Sequence, residues 1–210
     1  HYSPEINLYT FINSTDRLSG FRSVQLFLPF WGEWTVYQGY EGEYTHKGEW
    51  KNALDFVISD ETGKLFSGNS VSNDNYFSFD KPVLAPCDGI VSEIADNVPD
   101  NEPGKVDTAK NWGNTIVIKH GEHIYTQLSH LKRGSFRKKK GDFVRKGEII
   151  ASCGNSGRSP ESHLHFQVQQ SPAVGSVTIE YPFAYYLKEE NHRSVLCTSS
   201  IPVLNEKVSN

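Results

Sequence analysis

The most chemically loaded stretch of the chain is Ser162-His163-Leu164-His165-Phe166-Gln167-Val168, which reads as a strand. Side chains alternate faces along a strand, so residues i and i+2 share one face. His163, His165 and Gln167 therefore project to one side, while Leu164, Phe166 and Val168 project to the other, into a core. Two imidazoles on the polar face of a strand are the beginning of a metal site. A second constellation lies upstream. His46 sits in a loop marked by Gly39, Gly42 and Gly48, nine residues before Asp55. Asp55 is the odd residue in the otherwise apolar Ala53-Leu54-Asp55-Phe56-Val57-Ile58. A carboxylate in that setting needs a partner, because burying a charge unpaired is costly. A metal ion is one such partner, and Arg or Lys is another. Zinc is commonly held by His nitrogen and Asp oxygen at about 2.0–2.2 Å, and a catalytic site uses three protein ligands plus water. His46, Asp55 and one histidine of the pair would supply that set. Two neutral ligands and one anion leave such a site net positive, able to polarise a carbonyl and bring the pKa of bound water to about 7. The other histidine of the pair would be free for proton transfer or oxyanion stabilisation, and His130, on another strand, could join it. The chain has eight histidines. His1, His120, His123 and His192 fit ordinary surface or hydrogen-bonded structural roles.

The elements that must position these groups are short strands. Val24 to Phe30 reads as extended, with a turn at Trp31-Gly32, followed by Trp34-Thr35-Val36-Tyr37. Ala53–Ile58, Ile90–Ile94, Asn114–Lys119, Ile124–Leu131 and Ile149–Cys153 read as further strands, separated by turns at Asp88-Gly89, His120-Gly121-Glu122, Gly141-Asp142 and Lys146-Gly147. Two long polar loops, 59–80 and roughly 96–112, interrupt them, and long loops in compact domains are often functional walls or lids. Phe183 to Glu190 is the one stretch with a pattern suited to a short helix. Many short strands with turn chemistry imply an all-β sandwich or barrel. The expected organisation is an N-terminal extension at 1–23, a main β domain at 24–188 and a C-terminal extension at 189–210.

Bulk properties narrow the class. The chain has 210 residues, 37% hydrophobic and 12% aromatic, enough for the core of one all-β domain. A formal net charge of -4 exerts no general pull on nucleic acid or anionic membrane. No run of about 18 apolar residues exists, so no helix spans a bilayer. The chain begins at His1 and contains no Met, the mark of a processed product or an excised fragment, so the lack of a signal peptide leaves localisation open. Cys87, Cys153 and Cys197 have no C-x-x-C spacing and form no disulfide framework; they read as free thiols. Lys132, Arg133, Arg137, Lys138, Lys139, Lys140, Arg145 and Lys146 cluster within fifteen residues. Contact with an anionic polymer is one reading; the favoured one is a solvated hairpin, since Asp142 and Glu148 break the charge run.

An ordered series of motifs resembles the lysostaphin/LytM-like zinc metallopeptidases, peptidase family M23, from roughly Leu28 to Val168. It includes Leu28-Pro29 with Gly32, then His46, Ala53-Leu54-Asp55-Phe56, and Pro82-Val83-Leu84-Ala85-Pro86-Cys87-Asp88-Gly89-Ile90-Val91. It continues through Gly113–Gly121, Leu128-Ser129-His130-Leu131, Gly141–Glu148 and Gly154-Asn155-Ser156-Gly157 to His163-Leu164-His165-Phe166. The resemblance implies a compact, mostly antiparallel β domain of the LytM-like, duplicated hybrid motif type, with an open zinc groove. It implies one zinc ion on His46, Asp55 and His165, with His130 and His163 as the two catalytic histidines. One of these would act as general base and the other as a donor to the oxyanion. The implied activity is hydrolysis of peptide bonds in peptidoglycan stem peptides or cross-bridges. The implied location is the cell envelope or the exterior, in a monomeric domain or a part of a larger protein. The pattern departs from the family in places. Eight residues separate His46 from Asp55, more than is usual there. Gln127 and Leu128 stand where Tyr-like residues often precede the histidine, and the two long loops exceed those of the small lysostaphin-like enzymes. A non-catalytic wall-binding or regulatory module on the same fold is the competing reading. A His-Glu-x-x-His helix is absent, and Gly154-Asn155-Ser156-Gly157 lacks the Gly-x-Ser-x-Gly spacing of a serine hydrolase.

Overall fold

Residues 24–210 are described by a computed structural model. The expected extension at 1–23 lies outside the described residues. Strands run in chain order as β1 (Trp34–Gln38), β2 (Ala53–Val57), β3 (Pro82–Leu84), β4 (Gly89–Ala95), β5 (Asn114–Gly121) and β6 (Ile124–Leu131). They continue as β7 (Phe143–Val144), β8 (Ile149–Ser152), β9 (Leu164–Gln169), β10 (Phe183–Glu190), β11 (Arg193–Ser200) and β12 (Lys207–Ser209). Ten of them form one sheet in the order β11-β10-β12-β1-β2-β9-β6-β5-β4-β7, and β3 pairs with β8 in a separate two-stranded sheet. The named strand pairs are all antiparallel. The chain is thus the all-β, mostly antiparallel domain that its short strands imply.

Phe183–Glu190 is a strand, not the expected short helix. Its aromatic residues suit a pleated surface, and β10 pairs with β11 from Phe183↔Ser200 to Glu190↔Arg193. That ladder also crosses the expected boundary at residue 188. Residues beyond it form β11 and β12, and β12 lies between β10 and β1 with Val208 fully buried. The segment around Leu26 is extended as expected, but it joins the sheet only by a single parallel bridge to Phe183.

One apolar cluster holds the two sheets together. Leu54, Phe56, Leu164, Phe166, Ile116 and Leu128 point from the large sheet toward Val83, Ala85, Ile150 and Ala151 of the small one and its flanks. Phe30 stacks on Trp34 at 4.8 Å and meets Phe56 edge-on at 5.0 Å. Full burial of each such side chain is worth about 1.5–3 kcal/mol. With the apolar residues of β2, β9 and β6 committed to that side, Asp55, His165 and Ser129 fall on the opposite face of three neighbouring strands. Register brings them level: Asp55 pairs with His165, and His165 with Ser129.

The long loops are bolted down rather than loose. Asn101 N donates to Asn155 O at 2.9 Å, Asn73 Nδ2 to Asn101 O at 2.7 Å, and Asn155 Nδ2 to Asn73 Oδ1 at 3.0 Å. Both loops therefore converge on the turn that begins at Gly154. The basic stretch is solvated, as expected: Lys138 pairs with Glu148 and Lys140 with Glu93. Cys87, Cys153 and Cys197 are free.

His120 fills a structural role. Its Nδ1 donates to Asp88 O at 2.8 Å, and its Nε2 meets Thr126 Oγ1 at 2.8 Å. Burial pushes its pKa down to about 4. The unfolded chain, with a pKa near 6.5, takes up this proton first. Stability from His120 is thus complete above about pH 6.5 and falls as pH drops toward about 4. In urea unfolding at pH 4.5 and 7.5, His120→Gln should shrink the acid loss of stability by about 2 kcal/mol relative to wild type. An equal loss in both proteins would refute this role.

Candidate metal centre

Asp55 is the hub. Its Oδ1 lies 2.8 Å from His165 Nδ1 and 3.8 Å from His163 Nε2, and its Oδ2 lies 3.3 Å from His46 Nε2. Gln38 Nε2 donates to Oδ2 at 2.8 Å. All five groups are buried, Asp55 at 4% exposure. No Arg or Lys approaches the carboxylate among these contacts, so the second partner the sequence leaves open is not used.

The ring protons are already placed. His46 Nδ1 lies 2.8 Å from Gly39 O, which can only accept, so Nδ1 carries the proton. His46 Nε2 is then a lone pair, buried and without a hydrogen-bond partner. His165 Nε2 meets Gln167 Oε1 at 2.9 Å, and the Gln167 amide nitrogen is spent on Gln169 Oε1 and Ser176 O. The oxygen of Gln167 must face the ring, so His165 Nε2 is the donor and its Nδ1 is a lone pair aimed at Asp55. In neutral rings, two nitrogen lone pairs thus converge on a carboxylate that is itself an acceptor. A cation between them resolves that repulsion, and outer hydrogen bonds of this kind commonly fix the tautomer of metal-ligating histidines. The ligand atoms of His46, Asp55 and His165 all lie within 4.8 Å of one another. Two imidazole nitrogens and one carboxylate oxygen suit a divalent transition-metal ion. The residues fit a metal.

Burial alone would raise the Asp55 carboxyl, but His46 and His163 beside it, in their charged forms, outweigh burial and hold it well below the usual carboxylate range. Burial pulls the His46 pKa down, but the Asp55 charge outweighs it and the net shift is upward. Burial drives His130 well below the usual imidazole range, and the neighbouring His163 and His165 add to this.

His130 and His163 stand beside the three-residue cluster. Their ring centroids are 4.7 Å apart, and His130 is 5.8 Å from His165. His163 Nδ1 is held by Glu161 O at 2.9 Å and Ser159 Oγ at 3.1 Å. His130 Nδ1 donates to Ser156 O at 2.8 Å. Backbone carbonyls again take the Nδ1 protons and leave Nε2 free in both rings.

His130 reaches the site through a bulge. Asn114 pairs with Leu131 and Ile116 with Leu128, so one extra residue sits on β6, and His130 has φ +61°. Leu128 and Leu131 both enter the core. Strict alternation would send His130 there with Leu128; the bulge sends it to the polar face with Ser129. A left-handed non-glycine residue is strained, and such strain gathers at functional sites. A second bulge, on β1, brings Gln38 opposite Asp55.

All five histidine and aspartate positions expected from the sequence meet at one place. Gln38 and the carbonyls of Gly39, Ser156 and Glu161 carry no sequence signal and emerge only from the fold. Gln167, two residues after His165, could be placed by strand alternation alone. Around the cluster is a pocket of about 350 Å³, lined also by Tyr37, Tyr44, Trp50, Trp112, Arg158 and Glu161. Trp50 packs edge-on to Trp112 at 5.2 Å, and Trp112 lies 5.2 Å from His165.

The antiparallel β domain thus carries a buried two-His, one-Asp cluster that could hold a metal ion, with two further imidazoles adjoining it. Residues 74–176, just under half of the chain, match Peptidase family M23. The matched segment holds His130, His163 and His165; His46 and Asp55 precede it and join them only in space. The chain is 33% identical over 102 residues to an uncharacterized metalloprotease of Haemophilus influenzae, covering 48% of this chain and 19% of that protein. It is 34% identical over 89 residues to the peptidoglycan DD-endopeptidase ShyB of Vibrio cholerae, covering 42% of this chain and 20% of the relative. The matches therefore take in about a fifth of the length of these relatives. Among solved structures, the catalytic domain of the prophage-encoded M23 protein EnpA from Enterococcus faecalis is similar. It has a TM-score of 0.49 at 17% identity, covering 73% of this chain and 94% of that one.

A divalent ion that binds only the folded chain should stabilise it. With Zn²⁺ at about a hundredfold its Kd, the gain is about 2.7 kcal/mol, read as a rise in Tm. Asp55→Ala should abolish both the rise and the bound metal measured by elemental analysis. A zinc-dependent rise that survives in Asp55→Ala would place the metal elsewhere.

Proposed function

We propose that this chain is a zinc metalloendopeptidase domain that hydrolyses peptide bonds in peptidoglycan stem peptides or cross-bridges. The observation that carries this reading is the convergence of three ligand atoms within 4.8 Å with two further imidazoles beside them. His46 Nε2, Asp55 and His165 Nδ1 hold one zinc ion. When bound, that ion supplies Lewis acidity toward the scissile carbonyl and acidifies water.

The protein's own groups handle the protons. His130 and His163 both begin with Nδ1–H bound to a carbonyl and Nε2 unprotonated. Either Nε2 can accept the proton of an attacking water as general base. The ring that accepts it becomes an N–H donor, able to stabilise the developing oxyanion or to protonate the leaving amine. Two charged rings 4.7 Å apart repel each other, so the pair works best with a single added proton between its two Nε2 atoms. The left-handed backbone at His130 and the carbonyl tethers keep both rings aimed without reorganisation during the reaction. Trp50 and Trp112 form an apolar wall that keeps water away from one side of the cluster. The family match and the named activity of the Vibrio cholerae relative support peptidoglycan as substrate. The place of action is accordingly the cell envelope or the exterior, in a monomeric domain or a part of a larger protein.

His130→Ala and His163→Ala should each keep bound zinc while lowering cleavage at least about 100-fold. The assay is digestion of defined muropeptides and bridge peptides, with products read by mass spectrometry. Zinc binding with no cleavage of any wall type would favour the non-catalytic binding module, and full activity in either variant would remove that residue from the mechanism.

A further inference from the structure

The turn from Gly154 to Glu161 has a rigid backbone and one free charge. Gly113 (φ +58°) and Gly157 (φ +80°) lie so close that a Cβ on either would strike the other segment's backbone. Asp107 N donates to Gly157 O at 2.8 Å, and Arg158 N donates to Asn111 O at 3.0 Å. Asn101 Nδ2 adds bonds to the carbonyls of Gly157 at 2.7 Å and Ser159 at 3.0 Å. The base of Arg158 is therefore fixed on both sides. Its guanidinium is not. The side chain is exposed and lines the pocket beside the metal cluster. Among the described residues it has no ion-pair partner.

The other charges of the pocket are accounted for. Asp55 belongs to the metal cluster, and Glu161 accepts a hydrogen bond from the Tyr37 hydroxyl at 2.5 Å. A divalent cation on the cluster would leave the pocket net positive, with Arg158 its one cationic side chain. A guanidinium presents a planar fork of N–H donors that matches a carboxylate with two parallel bonds. Its fixed base limits the entropy lost when such a partner docks.

We propose that Arg158 is a carboxylate-recognition subsite, which makes the preferred substrate a peptide bearing a free, non-amidated carboxylate near the bond that is cut. This rests on the reading of the pocket as a peptide-binding groove. Glu161 and Tyr37, hydrogen-bonded to each other, line the same pocket, and Glu161 forms no ion pair with Arg158. Trp50 and Trp112 offer the neighbouring apolar surface, so the groove combines an acidic-group anchor with a face for aliphatic side chains.

The test uses one synthetic stem peptide and a set of twins in which each carboxylate in turn is converted to the carboxamide. Binding is followed by calorimetry on the chain carrying His163→Ala, with and without added zinc, and cleavage on the chain with His163 intact. Amidating one particular carboxylate should weaken binding and lower kcat/KM by about tenfold, the scale of a lost charge-assisted pair. Adding Arg158→Gln should bring the acid-to-amide ratio close to one in both measurements, and Arg158→Lys should restore part of it. Indifference to every amidation, or a ratio that persists in Arg158→Gln, would overturn the subsite. Carboxylate-dependent binding without any cleavage would keep the subsite and overturn the peptidase reading. Cleavage without carboxylate dependence would do the reverse, and neither binding nor cleavage would overturn both.

Discussion

The site depends on how the ring protons of four buried histidines are spent. Each of His46, His130 and His163 gives its Nδ1 proton to a backbone carbonyl, and His165 gives its Nε2 proton to Gln167. What remains is a set of unprotonated nitrogens on one side of a buried carboxylate. Burying a carboxylate costs several kcal/mol unless charge and hydrogen bonds compensate. Here the compensation comes from one amide, Gln38, and from imidazoles that are poor donors in the tautomers the fold imposes. The arrangement makes little sense as a self-contained hydrogen-bond network, since His46 Nε2 has no partner at all. It makes good sense as a set of donor atoms arranged for a cation.

The β architecture supplies this geometry through register. Asp55 on β2 and His165 on β9 are directly paired residues, and Ser129 on β6 continues the row. Directly opposed side chains on one face have Cβ atoms about 4.5–5.5 Å apart, which sets the scale of a coordination shell. A one-residue slip of β9 would send His165 into the core and Phe166 into the groove. The fully buried Leu164, the nearly buried Phe166 and their partners Leu54, Phe56 and Leu128 oppose such a slip. The hydrophobic core is therefore also the device that keeps the ligands in line.

Much of this was legible in the sequence, and the limits follow from the physics. Alternation along Leu164–Gln169 places His165 and Gln167 on one face, and the polar intruder in Ala53–Val57 announces Asp55. The pairing of β2 with β9, more than a hundred residues apart, has no local signature, and the choice of His165 as the companion of Asp55 came only through the resemblance to a family. His130 is harder. Alternation alone assigns it to the core side with Leu128, and only the bulge opposite Asn114–Ile116 reverses that. Phe183–Glu190 shows the opposite error. Its spacing allows a helix, but β11 and β12 on either side offer backbone partners along its length, and tertiary pairing decides the matter.

One turn governs more of the site than its length suggests. Ser156 O anchors His130, Ser159 Oγ and Glu161 O anchor His163, and Arg158 projects from between them. The same turn receives Asn101, Asn155 and, through it, Asn73, so both long loops are hydrogen-bonded to the segment that aims the imidazoles. The metal ligands, by contrast, sit on paired strands and on the loop closed by His46 and Gly39, away from that turn. A change in the long loops can thus reshape the groove or re-aim the proton-handling rings while leaving the ligand row untouched.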